Sequence, residues 1–250
     1  MARRAAAVPA AVAGGCLRYA VMEVLGFGRQ IEAAARQAMA EGAMGHRRFQ
    51  AELATASVLV AAEVAFGGPA VGVRGRVDAV VQWGGEAVAV EFKTVDESGF
   101  EGICREGPRY AHVAQLATYL EFGPYPRGIL VVEARDSRRR VGFALTQDAV
   151  FGQWLRQRVA AALEWAASRR LPPREVSVRC QHCDRWPRCF ADTAARDQAV
   201  AAHPRWEPAP PVPPLWLQRV PAVAGGALGL AREEGVGDGG GSRISGTDGI

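Results

Sequence analysis

Two carboxylates and one lysine lie on either side of a glycine pair. The carboxylates could hold a metal ion beside the lysine amine. Asp78 precedes Gly84-Gly85, and Glu91 and Lys93 follow it. The flanking segments are rich in valine, and the two glycines can adopt the positive φ angles of a tight turn, so residues 76–94 are predicted to form a β-hairpin. With a two-residue loop, Asp78 falls opposite Glu91. Because side chains alternate along a strand, Lys93 projects on the same side as Glu91.

Divalent metal binding is the chemistry that this trio favours. Carboxylates that face each other across two strands repel, and the apolar neighbours predict a covered site where water would screen them poorly. Mg²⁺ or Mn²⁺ prefers oxygen ligands and would turn that repulsion into attraction. A lysine beside the ion could orient an attacking water or neutralise charge that develops during the reaction. The alternative is a surface hairpin whose charged groups are merely solvated.

Two predicted helices carry further candidates. Residues 110–122 have the composition of a helix, and Gln115 and Tyr119 lie four residues apart and therefore on one face. Residues 29–66 are alanine-rich and predict a long helix, in which His46 could be a third metal ligand through a neutral imidazole nitrogen. Taken singly, His46 fits an ordinary helix histidine better, and Gln115 and Tyr119 fit an ordinary half-buried polar pair better.

The cysteines predict a second metal centre. The chain has five, namely Cys16, Cys104, Cys180, Cys183 and Cys189. The last three have the tight spacing of a metal-binding loop, and Cys16 is the natural fourth ligand of a [4Fe–4S] cluster or a Zn²⁺ ion. His182 could instead complete a zinc site. Disulfides are the competing interpretation, but the odd count and the lack of an export signal favour a reducing compartment. Cys104, in a predicted loop, is expected to be a bystander.

The order of predicted elements indicates a mixed α/β sheet flanked by helices. We expect residues 1–204 to form one domain and the proline- and glycine-rich residues 205–250 to be a largely disordered tail. The net charge of +4 and the isoelectric point near 9.0 are compatible with nucleic acid binding but not diagnostic of it. Arginine runs at 47–48, 135–140, 169–170 and 185–188 are candidates for phosphate contacts.

The N-terminal apolar stretch is too short for a secretory core and contains Pro9, so no export is expected. No segment is long and apolar enough to span a membrane. These observations predict a cytoplasmic protein with no membrane partner.

Taken together and in order, the motifs resemble the RecB-like branch of the PD-(D/E)XK nucleases, in particular the CRISPR-associated exonucleases with an iron–sulfur cluster (the fourth Cas family). The matching elements are Cys16 with Leu17-Arg18-Tyr19, Gly42 to His46, Gly75 to Asp78, Glu91-Phe92-Lys93-Thr94, Gln115 to Tyr119, and the three C-terminal cysteines. The resemblance covers residues 16 to about 190. One departure is Leu17, where many relatives have proline.

The resemblance implies roles for these residues. His46, Asp78 and Glu91 would hold one or two Mg²⁺ or Mn²⁺ ions, helped by the carbonyl of Phe92. Lys93 would position the attacking water, and Gln115 and Tyr119 would orient Lys93 or the DNA backbone. A cluster held by the four cysteines would be structural and would join the N-terminal segment to the C-terminal one.

The resemblance also implies an activity and partners. Such a protein would be a restriction-endonuclease-like exonuclease acting mainly on single-stranded DNA and its ends. It would trim DNA before a CRISPR integrase inserts it during spacer acquisition. The alternatives are a stand-alone DNA-repair nuclease and a catalytically inactive, cluster-bearing subunit that binds DNA or serves as a scaffold.

Overall fold

The computed structural model describes residues 6–203, 216–220 and 242–243. The strands are β1 Val8–Pro9, β2 Leu59–Gly68, β3 Val73–Trp83, β4 Glu86–Val95, β5 Arg127–Ala134, β6 Arg140–Thr146, β7 Trp216–Val220 and β8 Ser242–Arg243. The α-helices are α1 Ala10–Ala13, α2 Leu17–Val24, α3 Ala33–Thr55, α4 Glu97–Glu106, α5 Tyr110–Phe122, α6 Ala149–Ala167 and α7 Thr193–Ala201. Two 3₁₀ turns, Val178–His182 and Trp186–Arg188, lie between α6 and α7.

The strands form one mixed sheet. β3 is antiparallel to both β2 and β4, β4 is parallel to β5, and β5 is antiparallel to β6. The parallel pair requires a crossover connection, which α4 and α5 supply. β7 and β8 extend the sheet beyond β6, and β1 adds a two-residue parallel pair to β3. The predicted mixed sheet flanked by helices is therefore confirmed.

Alternating apolar side chains give the sheet two buried faces. One face packs against α3 through Phe49 and Leu53, which meet the side chains of Ala79, Val81, Val88, Val90 and Phe92. The other face packs against α5 and α6, and its core includes Val80, Ala89, Leu116, Leu120, Leu130, Val132 and Leu155. Because both faces are covered, polar side chains on the central strands are enclosed by protein.

The β3–β4 hairpin has the predicted register. Trp83 pairs with Glu86, and the pairing continues to Ala79 with Val90. The two glycines of the turn have φ angles of 55° and 81°, a region in which only glycine is free of steric penalty. Beyond Ala79 the regular pairing ends, at the position where Asp78 and Glu91 were expected to face each other.

The helix predicted for residues 29–66 was too long. α3 ends at Thr55, Ser57 has a positive φ of 57°, and residues 59–68 form β2. Alanine favours helices, but pairing of this segment with β3 overrides that local preference. A second difference concerns Cys104, which lies in α4 and not in a loop; Asp96 caps this helix by accepting a hydrogen bond from the amide of Gly99 at 2.7 Å.

Part of the segment predicted as a disordered tail is regular structure. Residues 216–220 form β7 and pair with β6, and residues 242–243 pair with β7. Residues 216–220 include leucine and valine and pair with the edge of the sheet at β6. This edge supplies hydrogen-bond partners for their backbone groups. The remainder of 205–250 lies outside the described residues.

The N-terminal apolar segment lies in the core. Val8, Ala10 and Ala13 are buried, and β1 begins there. Among the described residues, no helix combines the length and the apolar character that crossing a membrane requires.

Candidate active site

Close packing of α3 on β4 brings His46 to Asp78. A Cβ at Gly45 would lie 3.0 Å from Thr94 and 3.4 Å from the Phe92 ring, so glycine lets the helix approach this strand without displacing either side chain. The His46 ring meets the Phe92 ring edge-on at 5.2 Å, and its Nδ1 lies 3.5 Å from Oδ1 of Asp78. Burial alone would lower the pKa of His46, but the interaction with Asp78 outweighs it and raises the pKa.

Where the pairing of β3 with β4 ends, the side chain of Asp78 replaces a backbone carbonyl as the hydrogen-bond acceptor. Its Oδ2 accepts a hydrogen bond from the backbone N–H of Phe92 at 2.8 Å. The strands separate there, since a side-chain carboxylate and not a carbonyl satisfies that amide. Asp78 is thereby fixed between the two strands, with Oδ1 directed toward His46.

Sequence reasoning missed Glu63, which lies next to this pair. On β2 the pairs Ala62–Ala79 and Val64–Val77 flank it, so Glu63 lies opposite Asp78. Ligand atoms of His46, Glu63 and Asp78 all lie within 4.8 Å of one another. The φ angle of Glu63 is 53°, a left-handed conformation that costs an L-residue about 1–2 kcal/mol and persists where the surroundings impose it.

The Glu91 side chain faces α5 and is fully buried. Its Oε2 accepts a hydrogen bond from the Tyr119 hydroxyl at 2.6 Å, and its Oε1 forms an ion pair with Lys93. Burial raises the pKa of Glu91 to about 7, although Lys93 opposes the shift. A buried carboxylate whose pKa stays raised despite these two partners is a candidate to bind a cation.

Gln115 and Tyr119 support Glu91 from α5. The Gln115 side-chain amide donates to the Tyr119 hydroxyl oxygen at 2.6 Å, and Tyr119 is buried. Burial, followed by the charge of Glu91, raises the pKa of Tyr119, so the phenol stays protonated and acts as a donor. The two residues predicted to share a helical face therefore form one chain of hydrogen bonds that ends at Glu91.

Replacing Tyr119 with phenylalanine is expected to destabilise the protein. The change removes the donor from a carboxylate oxygen that water reaches poorly, which costs about 1–3 kcal/mol and corresponds to a fall in Tm of roughly 2–10 °C at this size. Thermal denaturation followed by circular dichroism measures it. Tyr125→Phe is the matched control, because the Tyr125 hydroxyl takes no part in this network. Equal melting of both variants would show that the hydrogen bond to Glu91 contributes nothing.

Lys93 is the only lysine among the 250 residues, whereas arginine accounts for the other 29 of the 30 Lys and Arg. Burial alone would lower the pKa of Lys93, but the charge of Glu91 outweighs it and raises the pKa. The amine therefore stays protonated while about a quarter of its side chain remains exposed. Asp78, Glu91 and Lys93 thus converge where the hairpin opens.

The second candidate centre is a single cavity lined by four cysteines. Its volume is about 1130 Å³, and Cys16, Cys180, Cys183 and Cys189 all contribute to its wall, as does His182. All five cysteines of the chain lie in the described part and are free of disulfides. Gln115, which donates to the Tyr119 hydroxyl, also lines this cavity.

Burial dominates the chemistry of these thiols. It raises the pKa values of Cys16 and Cys183 to about 11, and it also raises that of Cys189. Cys16 precedes α2, and the backbone N–H groups of Arg18 and Tyr19 partly offset the shift. Within the described residues, no three of the four sulfurs approach one another within 4.8 Å.

Direct contacts also hold the cysteine loop against the N-terminal segment. Arg18 donates to the carbonyl of Arg188 at 3.3 Å, and the amide of Gln30 donates to the carbonyl of Asp184 at 2.8 Å. Arg185 is buried, donates to the carbonyl of Phe27 at 2.6 Å and pairs with Glu23 at 3.0 Å. The two ends of the predicted domain therefore meet where the four cysteines lie.

Several arginines predicted to contact phosphates are instead paired with acidic side chains. Arg185 pairs with Glu23, Arg140 pairs with the buried Glu133 at 2.6 Å, and Arg139 pairs with Glu97 and Glu101. A guanidinium held by a carboxylate has less charge to offer a phosphate. These three guanidinium groups are therefore held by carboxylates in this structure.

The comparisons with known proteins agree with this architecture. A family model described as the PD-(D/E)XK nuclease superfamily matches residues 2–190. The chain therefore belongs to the PD-(D/E)XK nuclease superfamily. No curated protein shows a significant match to this sequence.

Among solved structures, the fold is similar to that of an alkaline exonuclease from Laribacter hongkongensis. The TM-score is 0.52 at 17% identity, with 67% of this chain and 91% of that one covered. The same exonuclease in complex with dAMP gives a TM-score of 0.52 at 16% identity, with coverages of 65% and 89%. At these identities the likeness describes the fold.

Proposed function

We propose that this nuclease is a metal-dependent DNA exonuclease acting mainly on single-stranded DNA. The observation that carries the proposal is the convergence of Asp78, Glu91 and Lys93 where the β3–β4 hairpin opens. Membership of a nuclease superfamily and a fold shared with an alkaline exonuclease support it.

The donor set suits a hard divalent ion. Asp78, Glu91, the carbonyl of Phe92 and the imidazole of His46 would hold Mg²⁺ or Mn²⁺, which take oxygen ligands with an occasional nitrogen. When bound, such an ion stabilises negative charge on a scissile phosphate and lowers the pKa of a bound water. The buried Glu91 fits this role, because its ionised form lacks hydration and a cation would replace it.

The side chains of the protein would supply the rest of the chemistry. The Lys93 ammonium, held in place by Glu91, would hydrogen-bond the attacking water and neutralise developing charge on the phosphate. Tyr119 would keep Glu91 in one orientation, and Gln115 would keep Tyr119 in one orientation. A pre-oriented site of this kind avoids reorganisation during the reaction.

The cavity next to the site offers a path for a DNA strand. Gln115 and His112 of α5 line it, together with Arg109 and Arg174. Burial lowers the pKa of His112 to about 3, and the nearby charges of Lys93 and Arg109 add to the shift. A positive groove attracts a phosphate backbone and makes binding sensitive to salt.

We assign the four cysteines to a structural [4Fe–4S] cluster, with Zn²⁺ as the alternative. Four thiolate ligands suit either group, and the resemblance to exonucleases with an iron–sulfur cluster favours the cluster. Cys16, Cys180, Cys183 and Cys189 would hold it and would join the two ends of the domain.

The biological setting proposed is the trimming of DNA before integration in CRISPR spacer acquisition, with the integrase complex as partner. The resemblance to the fourth Cas family supports this setting, and the shared superfamily fold is compatible with it. Co-purification of this chain with an integrase encoded beside it would test the partner.

The activity is tested with end-labelled single-stranded and duplex DNA in Mn²⁺, Mg²⁺ or EDTA. We expect shortening of single strands with either metal and none with EDTA. Asp78→Asn retains an oxygen to accept the Phe92 amide but removes a charge from the metal site, so the Mn²⁺ concentration for half-maximal activity should rise about 10–100-fold. Asp197→Asn, on the exposed surface of α7, is the control. The absence of degradation under all conditions would favour the scaffolding alternative.

A further inference from the structure

An arginine and a glutamate hold the peptide groups on both sides of Cys16. Arg158 of α6 donates to the carbonyl of Gly15 at 2.5 Å. Glu175 accepts a hydrogen bond from the backbone N–H of Leu17 at 2.6 Å. The two side chains also bond to each other, since the guanidinium of Arg158 lies 2.7 Å from one carboxylate oxygen of Glu175 and 3.1 Å from the other. The backbone is therefore fixed both before and after Cys16.

Glu175 supplies a cap that α2 lacks in its own sequence. Cys16 occupies the N-cap position of α2, its side chain makes no capping hydrogen bond, and the first turn contains no acidic residue. The backbone N–H groups at a helix start need acceptors, and the helix dipole favours a carboxylate there. Glu175 lies 158 positions after Leu17 and a few positions before Cys180. This cap therefore joins Cys16 to the segment that carries the other three cysteines.

The charge of Glu175 alone would work against a metal site. A cysteine binds metal as a thiolate, and a neighbouring carboxylate disfavours that negative charge; burial and then Glu175 both raise the pKa of Cys16. Arg158 pairs with both oxygens of the carboxylate and is itself largely buried, with its guanidinium 5.2 Å from the Trp154 ring. The arginine thus allows the carboxylate to hold the backbone while offsetting its charge beside the thiol.

We infer that Arg158 and Glu175 are positioning residues that present Cys16 to a metal group held by the C-terminal cysteines. This inference rests on the proposed assignment of the four cysteines to a [4Fe–4S] cluster or a Zn²⁺ ion, and it applies to either. Cys16 is the ligand whose place depends on the meeting of two distant segments, whereas the other three share one loop. Removing groups that orient metal ligands typically weakens metal binding by about 10–100-fold.

The test measures the release of iron and zinc from the purified, metal-bound protein into excess EDTA. We expect the metal to leave Arg158→Gln about 10–100-fold faster than wild type. Arg156→Gln is the matched control, because Arg156 lies on the same helix and pairs with Glu121, and neither residue lines the cysteine cavity. If Arg158→Gln does not fold, Arg158→Lys replaces it, since lysine keeps the charge but lacks the planar fork that bridges two acceptors.

A double variant separates positioning from a general loss of stability. Glu175→Gln keeps an oxygen for the Leu17 amide and removes the opposing charge, so adding it to Arg158→Gln should slow metal release several-fold relative to Arg158→Gln alone. Lost stability alone would instead make the double variant release metal faster.

The outcomes distinguish this inference from the proposals on which it rests. Equal release from Arg158→Gln and wild type, or release from the double variant that is no slower than from Arg158→Gln, would overturn the inference and leave metal binding in place. A wild-type protein that contains neither iron nor zinc would overturn both the inference and the metal assignment of the cysteines. The nuclease proposal is decided separately, by DNA degradation with Mn²⁺.

Discussion

Replacing Lys93 with alanine is expected to slow DNA degradation by about 10²–10⁴-fold, the range attributed to a positioned acid, base or charge in the transition state. The amine is held by Glu91 at the open end of the hairpin and, among the residues that the structure describes, is the only positive side chain paired with that carboxylate. Single-turnover cleavage of end-labelled DNA at saturating Mn²⁺ measures the effect. DNA binding should persist, because Arg109 and Arg174, which line the cavity beside the site, are unchanged.

The arginine variant makes this prediction sharper. The chain uses arginine at 29 of its 30 Lys and Arg positions and lysine at this one, so charge alone does not account for the choice. A guanidinium is planar and bulky, whereas an ammonium is a compact point charge that can approach a water closely. We therefore expect Lys93→Arg to be nearly as inactive as Lys93→Ala. Near wild-type cleavage by the arginine variant would reduce the role of Lys93 to charge neutralisation.

Local sequence was sufficient to predict the hairpin that carries Asp78, Glu91 and Lys93. The loop of two glycines fixes the register, and register fixes which side chains share a face. Asp78, Glu91 and Lys93 could therefore be placed together before any tertiary contact was known. The same holds for Gln115 and Tyr119, whose four-residue spacing defines one helical face.

The position of Glu63 could not be predicted in this way, because it depends on β2, a strand whose local composition favours a helix. Residues 59–68 contain several alanines and follow a long helix, so local preference favours more helix. The signal that was available is the presence of valine and phenylalanine at alternating positions from Val60 to Phe66. Even with the strand assigned, the pairing with β3 and the positive φ of Glu63 are tertiary results.

For the arginines, the prediction included residues that the structure pairs with acidic side chains. Runs of basic residues predicted phosphate contacts, but charge patterning does not reveal which acidic side chains lie nearby in space. Arg139 lies about 40 residues from its partners Glu97 and Glu101, and Arg185 is still further from Glu23. Long-range pairs of this kind can be identified only from the fold.

Replacing Cys183 with serine is expected to remove the metal bound by the four cysteines and to lower Tm by more than about 10 °C. Binding free energy at a structural metal is folding free energy, because the ligands are brought together only in the folded state, and several kcal/mol corresponds to such a shift at this size. Iron, sulfide and zinc contents, with thermal denaturation of the same samples, measure both effects.

The size of the shift depends on how much the other contacts at this junction contribute. Arg18, Gln30 and Arg185 connect the N-terminal segment to the cysteine loop without any metal, so the serine variant should remain folded at low temperature. Cys104→Ser is the matched control, because Cys104 lies in α4 and does not line the cavity. If both variants keep the same metal content and melt together, these hydrogen bonds alone hold the two ends of the domain, and the cysteines have no structural metal to bind.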